Sequence, residues 1–315
     1  MSTATQTYTK DNPFVTELIE NYKLNKDGSG KDTRHFSISL KGSDIEYKPG
    51  DSLYVYPENE TTLVNELLSL LKLDTNKAEE IRRFTQDVNI TRASNKLYKL
   101  IETKLNAAID AAAMNERFNG YSLVALIKEL QNEYPSLVLG TNEVAENSSK
   151  LQARAYSIAS SLKAHPQEVQ LCIARVDTEV NGQKVLGVCS NYLSDRISLN
   201  EKKLKVYLHV NDKFRLPENP ETNIIMVGPG TGIAPFRAFL EERNWQRDQG
   251  LKVGKDWLFF GDQRQAYDYL YGDELEAYKS KYGIEITTAF SRDQEQKFYV
   301  QNRMQEHANE IFKWL

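Results

Sequence analysis

Cysteine is nearly absent from this chain of 315 residues: only Cys172 and Cys189 occur. Two thiols are too few for a disulfide framework, and no CxxC spacing exists. Histidine is equally sparse. His35, His165, His209 and His307 stand singly, so no zinc cluster is suggested. Apolar runs last only a few residues, far short of a membrane span. Residues 1–14 are polar and carry no apolar stretch of the signal-peptide kind. A basic excess is missing too: 40 Lys and Arg stand against 44 Asp and Glu, a net charge of −4. That balance points neither to nucleic acid nor to an anionic membrane. Repeats and low-complexity tracts are also lacking. What remains is an ordinary globular composition, 40% apolar with 16 Gly. The length suits roughly two domains, and a cytoplasmic enzyme or binding protein is the default expectation.

Three textures follow one another along the chain. In residues 8–58, Phe36, Ile38 and Leu40 alternate with polar residues, a strand signal. Pro49-Gly50-Asp51 reads as a turn before a second strand at 52–56, so an antiparallel sheet or barrel is expected. Residues 60–147 are helical in character. Leu123, Leu126, Ile127 and Leu130 follow helical spacing, and the alanine-rich stretch 107–113 favours helix. Alternation then returns at Val169, Leu171 and Ile173, and at Leu204, Val206, Leu208 and Val210. A helical block between two β blocks looks like an insertion into one β domain. From about residue 221 the order is strand (224–227), glycine loop, helix to about Arg243, strand (257–260), helix (274–281) and strand (284–290). A last helix at 300–315 carries Met304, Ala308, Ile311 and Leu315 on one face. That order implies a parallel, doubly wound sheet.

Four segments could carry chemistry. Gly228-Pro229-Gly230-Thr231-Gly232 joins a strand to a helix, where backbone N–H groups can meet a phosphate. It is not GxGxxG, and a tight strand-to-helix turn would look the same. Arg154-Ala155-Tyr156-Ser157 combines a guanidinium fork for a diphosphate, a flat ring for an aromatic cofactor and a hydroxyl; an ordinary strand with one exposed Arg fits equally. Gly187-Val188-Cys189-Ser190 could open a helix toward a phosphate, with Ser190 as a cap donor. Ser291 and Arg292 follow the third strand of the last region, with Lys297, Tyr299 and Gln301 close behind. Cations at the carboxyl ends of parallel strands suit an anionic ligand, although a solvated charged loop has the same composition. Cys172 and Cys189 read as small packing residues.

Taken in order, these segments resemble the FAD and NADPH modules of the diflavin reductases. The sulfite reductase flavoprotein branch is the nearer, with cytochrome P450 reductase as a relation. The resemblance rests on Tyr8-Thr-Lys-Asp-Asn-Pro-Phe14, Thr33-Arg-His35, Tyr47-Lys-Pro-Gly-Asp51, Arg154-Ala-Tyr-Ser-Ile-Ala-Ser-Ser161 and Gly187-Val-Cys-Ser190. It continues in Phe214-Arg-Leu-Pro217, the run from Met226 to Phe239, Phe259-Phe-Gly261 and Ser291-Arg-Asp-Gln294. It implies an antiparallel FAD-binding β-barrel over 8–60 and 148–218, a helical connecting insertion over 61–147 and an NADPH-binding Rossmann-like domain over 221–315. By the same resemblance Arg154 would bind the FAD diphosphate, Tyr156 would lie against the isoalloxazine, and Ser157 would tune flavin N5 by a hydrogen bond. Ala155 stands where the family usually has a larger residue. Cys172, Ile173 and Ala174 would touch the flavin, Gly187, Val188, Cys189 and Ser190 would hold its diphosphate, and Thr91 would touch FAD through a looser alignment. Gly230, Thr231 and Gly232 would face the NADPH diphosphate. Ser291, Arg292, Lys297, Tyr299 and Gln301 would recognise the adenosine and its 2′-phosphate, and so favour NADPH over NADH.

The implied activity is hydride transfer from NADPH to FAD, with an FMN-containing protein or a haemoprotein as electron acceptor and no part for nucleic acid or membrane. Two departures from the family qualify it. No flavodoxin-like FMN domain precedes residue 8, and no strand ending in Cys-Gly-Asp, helix or terminal aromatic follows Trp314. A truncated nucleotide domain is therefore expected, with an open strand edge at 224–227. Two alternatives stay open: a flavin-binding docking module without competent hydride transfer, and a stand-alone ferredoxin or flavodoxin reductase. The helical block speaks against the second.

Overall fold

The computed structural model describes residues 8–72 and 77–314; Leu315, expected on the last helical face, lies outside them. The strands are β1 (Phe14–Thr16), β2 (Leu18–Lys23), β3 (Thr33–Ser39), β4 (Ser52–Tyr56), β5 (Arg154–Ser157), β6 (Glu168–Ala174), β7 (Asp177–Val180), β8 (Gln183–Leu186), β9 (Leu204–His209), β10 (Ile224–Val227), β11 (Asp256–Asp262) and β12 (Glu285–Phe290). The first six helices are α1 (Thr61–Leu70), α2 (Ala78–Gln86), α3 (Asn95–Lys104), α4 (Ala111–Arg117), α5 (Leu123–Glu133) and α6 (Thr141–Asn147). Then come α7 (Val188–Asn191), α8 (Ile233–Asp248), α9 (Gln265–Asp268), α10 (Gly272–Tyr282), α11 (Val300–Glu306) and α12 (Ala308–Trp314). The chain forms two compact units, one of residues 1–55, 155–175 and 197–315, the other of 56–154 and 176–196.

The first unit holds two antiparallel sheets, ordered β1-β9-β4-β5 and β2-β3-β6. Phe36 and Ile38 point to one face of β3 and are buried, as their alternation predicts. The polar residues between them are buried as well, because both faces are covered. His35 reaches Tyr271 Oη at 3.0 Å, and Ser37 donates to Glu168 Oε2 at 3.1 Å. The expected barrel is not a closed ring of ladders among the described residues. Between its two sheets the described ladder pairing is limited to isolated bridges, Ile158 to Leu171 and Leu18 to Leu199, supplemented by single hydrogen bonds such as Thr16 Oγ1 to Ser39 O.

The same unit carries the expected parallel sheet, ordered β10-β11-β12 with β10 at its edge. Strand β11 is buried on both faces, the signature of a strand covered by helices on either side. Leu258 and Phe260 pack with Leu240 of α8 and Leu275 of α10. Trp257 faces the other way, against His307 and Trp314, with ring centroids 5.4 and 5.3 Å away. The last helix is not continuous as its spacing suggested. It breaks at His307, whose ring turns inward to Trp257 while its Nδ1 lies 3.0 Å from Glu310. The break rotates the two halves out of phase, so Ala308 is exposed although Met304 and Ile311 are half-buried.

The second unit is a helical core drawn entirely from residues between Val64 and Val144. Helix α5 supplies Leu123, Val124, Leu126, Ile127 and Leu130, all buried. Ser122 caps it by accepting from Ala125 N at 3.2 Å. Loss of that acceptor in Ser122→Ala is expected to lower this unit's stability by about 1 kcal/mol, read as a shift in the helical CD midpoint in urea. The alanine-rich stretch departs from expectation. Asn106 and Ala107 take φ of 49° and 58°, left-handed values that turn the chain out of α3. Helix begins only at Ala111, where Asp110 Oδ1 accepts from Ala112 N and Ala113 N. A β7–β8 hairpin and α7 complete this unit.

Candidate functional site

At the carboxyl ends of β10, β11 and β12 the first unit opens a cleft of about 400 Å³. It gathers Gly230 from the β10–α8 turn with Ser291, Arg292, Lys297, Tyr299 and Gln301, residues that the sequence places in two separate stretches. Gly230 sits at φ 56°, in a single 3-10 turn that leads directly into the sixteen-residue α8. Thr231 and Gly232 lie exposed on that turn and do not line the same cleft. Ser291 is buried, its N donating to Asp262 O at 2.9 Å. Arg292 and Lys297 are exposed, and neither has an ion-pair partner among the described residues. Two cations without a carboxylate, beside the amino end of a long helix, make a surface for phosphate groups. Sequence reasoning missed Lys31 and Asp262, which pair at 2.5 Å in the wall of this cleft. Asp262 ends a strand at the crevice and could have been marked for that; Lys31 bears no local signal.

Strand β5 behaves unlike the rest of its sheet. Arg154, Ala155 and Ser157 are exposed and Tyr156 is half-buried, so no side chain of this strand is fully covered. Arg154 Nη1 donates to Gln152 O at 2.9 Å, and no carboxylate pairs with it among the described residues. The Ser157 hydroxyl has no hydrogen bond within the described protein. A paired strand that exposes both faces is one that a ligand can cover. Cys172 and Ile173 are buried at the end of β6, and Ala174 is exposed. Burial pushes the Cys172 thiol up to about 12, against a smaller opposite effect of its hydrogen bond with Tyr271. It therefore stays a neutral thiol and packs rather than attacks.

In the second unit, Thr91, Gly187 and Val188 line a separate cavity of about 260 Å³. Gly187 precedes α7, and a Cβ there would stand 2.5 Å from Ser190 Oγ and 2.8 Å from Val176 Cβ, so the turn closes only with glycine. The Ser190 hydroxyl turns inward and accepts from Val176 N at 3.1 Å; Cys189 is buried. Asn59 and Asn191 also line this cavity, and each keeps a buried Oδ1 without a hydrogen-bond donor. Arg196 braces the turn from beneath, donating to Val188 O and Glu58 O at 2.7 Å each. Neither asparagine nor Arg196 is marked by any motif. A cavity of this size, reached by the glycine-closed turn before α7, has room for part of a dinucleotide such as flavin adenine dinucleotide.

A parallel sheet with a cleft at its carboxyl ends, joined to antiparallel sheets, is the architecture of a nucleotide-dependent oxidoreductase. Residues 6–103 and 105–192 match the FAD binding domain family, and the chain belongs to that family. Residues 226–313 match the oxidoreductase NAD-binding domain. The chain is 40% identical to the sulfite reductase [NADPH] flavoprotein alpha-component of Bacillus subtilis (strain 168), across 99% of its own length and 53% of the relative's. It is 37% identical to the protein of that name from Zymomonas mobilis, across 98% and 52%, and 34% identical to that from Mannheimia succiniciproducens, across 98% and 52%. The chain thus spans about half the length of the curated relatives it matches. No helix among the described residues is long and apolar enough to cross a membrane.

Proposed function

We propose that this chain is a cytoplasmic FAD-dependent NADPH reductase module that hands electrons to an FMN-containing protein or a haemoprotein. The observation that carries the reading is the cleft that joins Gly230 to Ser291, Arg292 and Lys297. Two unpaired cations there favour a dinucleotide with an additional phosphate over one without. FAD and NADPH supply the hydride chemistry, and the protein positions them. Arg154 and the turn from Gly187 to Ser190 bind the flavin diphosphate, Tyr156 packs against the ring system, and Thr91, Cys172, Ile173 and Ala174 add contacts. Ala155 adds only backbone. Ser157 offers its hydroxyl to the flavin as a hydrogen-bond tuner. Gly230, Thr231 and Gly232 face the second dinucleotide's diphosphate, while Tyr299 and Gln301 help Ser291, Arg292 and Lys297 to hold its adenosine end. On this reading residues 8–60 and 148–218 bind flavin, 61–147 form the connecting insertion and 221–315 bind NADPH.

Anaerobic titration of the FAD-reconstituted chain with NADPH tests this. The yellow flavin band is expected to bleach with NADPH and to bleach far less with NADH at equal concentration. A bound flavin that dithionite bleaches and NADPH does not would make the chain a flavin-binding docking module instead.

A further inference from the structure

Lys31 belongs to the loop between β2 and β3, yet it forms part of the nucleotide cleft. Its Nζ lies 2.5 and 2.7 Å from the two carboxylate oxygens of Asp262. The Asp262 side chain is only 1% exposed, against 30% for Lys31. A Cβ built on Gly230 would stand 3.9 Å from Asp262 Oδ2, so this buried carboxylate abuts the glycine turn. A negative charge there opposes any phosphate that approaches the turn. It also competes for the nearby cations that a phosphate would use.

The loop that brings Lys31 to Asp262 is fastened at several points. Asn25 Nδ2 and Ser29 Oγ both donate to Asp268 Oδ1, at 2.9 and 2.5 Å. Lys26 N donates to Tyr267 O at 2.9 Å, and Lys31 N donates to Ser29 Oγ at 3.0 Å. Asp268 is itself 2% exposed and receives Arg264 N at 3.1 Å on its other oxygen. The ammonium is therefore held in place before any ligand arrives, and the ordering of a long side chain is not left to the binding step.

We infer that Lys31 is a positioning residue for the cleft's phosphate-bearing nucleotide. By cancelling the buried charge of Asp262, it leaves Arg292 and Lys297 free to act on the ligand. This deepens the nucleotide reading of the same cleft and rests on it. The pair is asymmetric: the buried carboxylate is tolerable because the ammonium is present, whereas the part-exposed ammonium keeps water without it, so removing Lys31 alone has a different consequence from removing both.

The probe is adenosine 2′,5′-bisphosphate, titrated calorimetrically into the FAD-loaded chain. Lys31→Met is expected to weaken binding about tenfold or more, because it exposes the ligand to an uncompensated carboxylate. Lys31→Arg, which keeps the charge, should bind within about threefold of the parent. Asp262→Asn should bind at least as tightly as the parent. The double variant Lys31→Met with Asp262→Asn should recover to within about threefold of it. That recovery depends on charge, and a purely structural role for the pair would not produce it. Failure of the parent chain to bind the bisphosphate overturns the nucleotide reading itself. A parent that binds and a Lys31→Met variant that matches it overturn the neutralising pair alone. So does a double variant that stays as weak as Lys31→Met.

Discussion

Replacing Arg237 by methionine is expected to destabilise the first unit by about 3–5 kcal/mol, the usual cost of leaving buried partners of an ion pair uncompensated. The guanidinium is 6% exposed and spends every donor it has. Its Nε and Nη2 grip Glu274 at 2.8 Å each, and Nη2 also lies 2.8 Å from Glu241. Its Nη1 donates to Ala159 O at 2.6 Å and to Gln170 Oε1 at 2.8 Å. Burial alone would lower the guanidinium pKa, but Glu241 and Glu274 outweigh it and the net shift is upward. Arg237 thereby pins α8 to β6, and so the parallel sheet to the antiparallel one. The same charge helps burial to push His35 down to about 3, so this imidazole stays neutral beside Tyr271. All three tryptophans, Trp245, Trp257 and Trp314, fall in the last third of the chain, so urea unfolding followed by tryptophan fluorescence reports directly on this unit. A midpoint that does not move on Arg237→Met would refute the assignment. Adding Glu241→Gln and Glu274→Gln to it should recover part of the loss, because the stranded carboxylates are then gone.

Arg154→Ala is expected to cost about 1–3 kcal/mol of FAD affinity, the range for a lost charged hydrogen bond. That corresponds to roughly five- to 150-fold weaker binding. The structural argument is the lack of another occupation for this side chain: it is exposed, and its one described bond is to Gln152 O. Removing it therefore leaves the folded protein's own contacts almost intact, and a change in flavin retention reports on the ligand. Equilibrium dialysis against free FAD measures it, with the urea midpoint as the control. Arg154→Lys should recover only part of the affinity, because an ammonium cannot present a planar fork to two phosphate oxygens. Undiminished FAD affinity in the alanine variant would remove Arg154 from the flavin site.

The legible parts of the fold are those whose physics is local. Alternation at Phe36 and Ile38 located β3, the apolar run at 224–227 located β10, and helical spacing at Leu123 to Leu130 located α5, because each buries its apolar side chains in a core; that the polar face of β3 is covered as well was not legible. Propensity misled at Ala107, where the need to turn from α3 into α4 outweighed alanine's preference for helix. Spacing misled at His307, where an aromatic contact with Trp257 broke what reads as one helix. The cleft residues Ser291, Arg292 and Lys297 were legible because the carboxyl ends of parallel strands converge on one crevice. Lys31 was not, since its partner Asp262 lies 231 positions away and neither residue carries a trace of the other. Arg237 stood within a quoted motif, yet nothing in its neighbours announces that it is buried among two carboxylates.

The order in which the sheets are completed has a consequence for synthesis. The helical core lies within one unbroken stretch, Val64 to Val144, so it can form as soon as that stretch leaves the ribosome. Strand β3 is made earlier but must wait for its outer neighbour β6, and β4 must wait for β5 and β9. Until then β3 presents an unpaired edge beside a finished β2, β4 has neither of its ladder partners, and Asn25 and Ser29 wait longer still for Asp268. Such late, long-range closure is slow and leaves strands open to wrong pairings. The nascent chain is thus most exposed to aggregation while residues 154–209 are being added, and that interval is when a chaperone has most to protect.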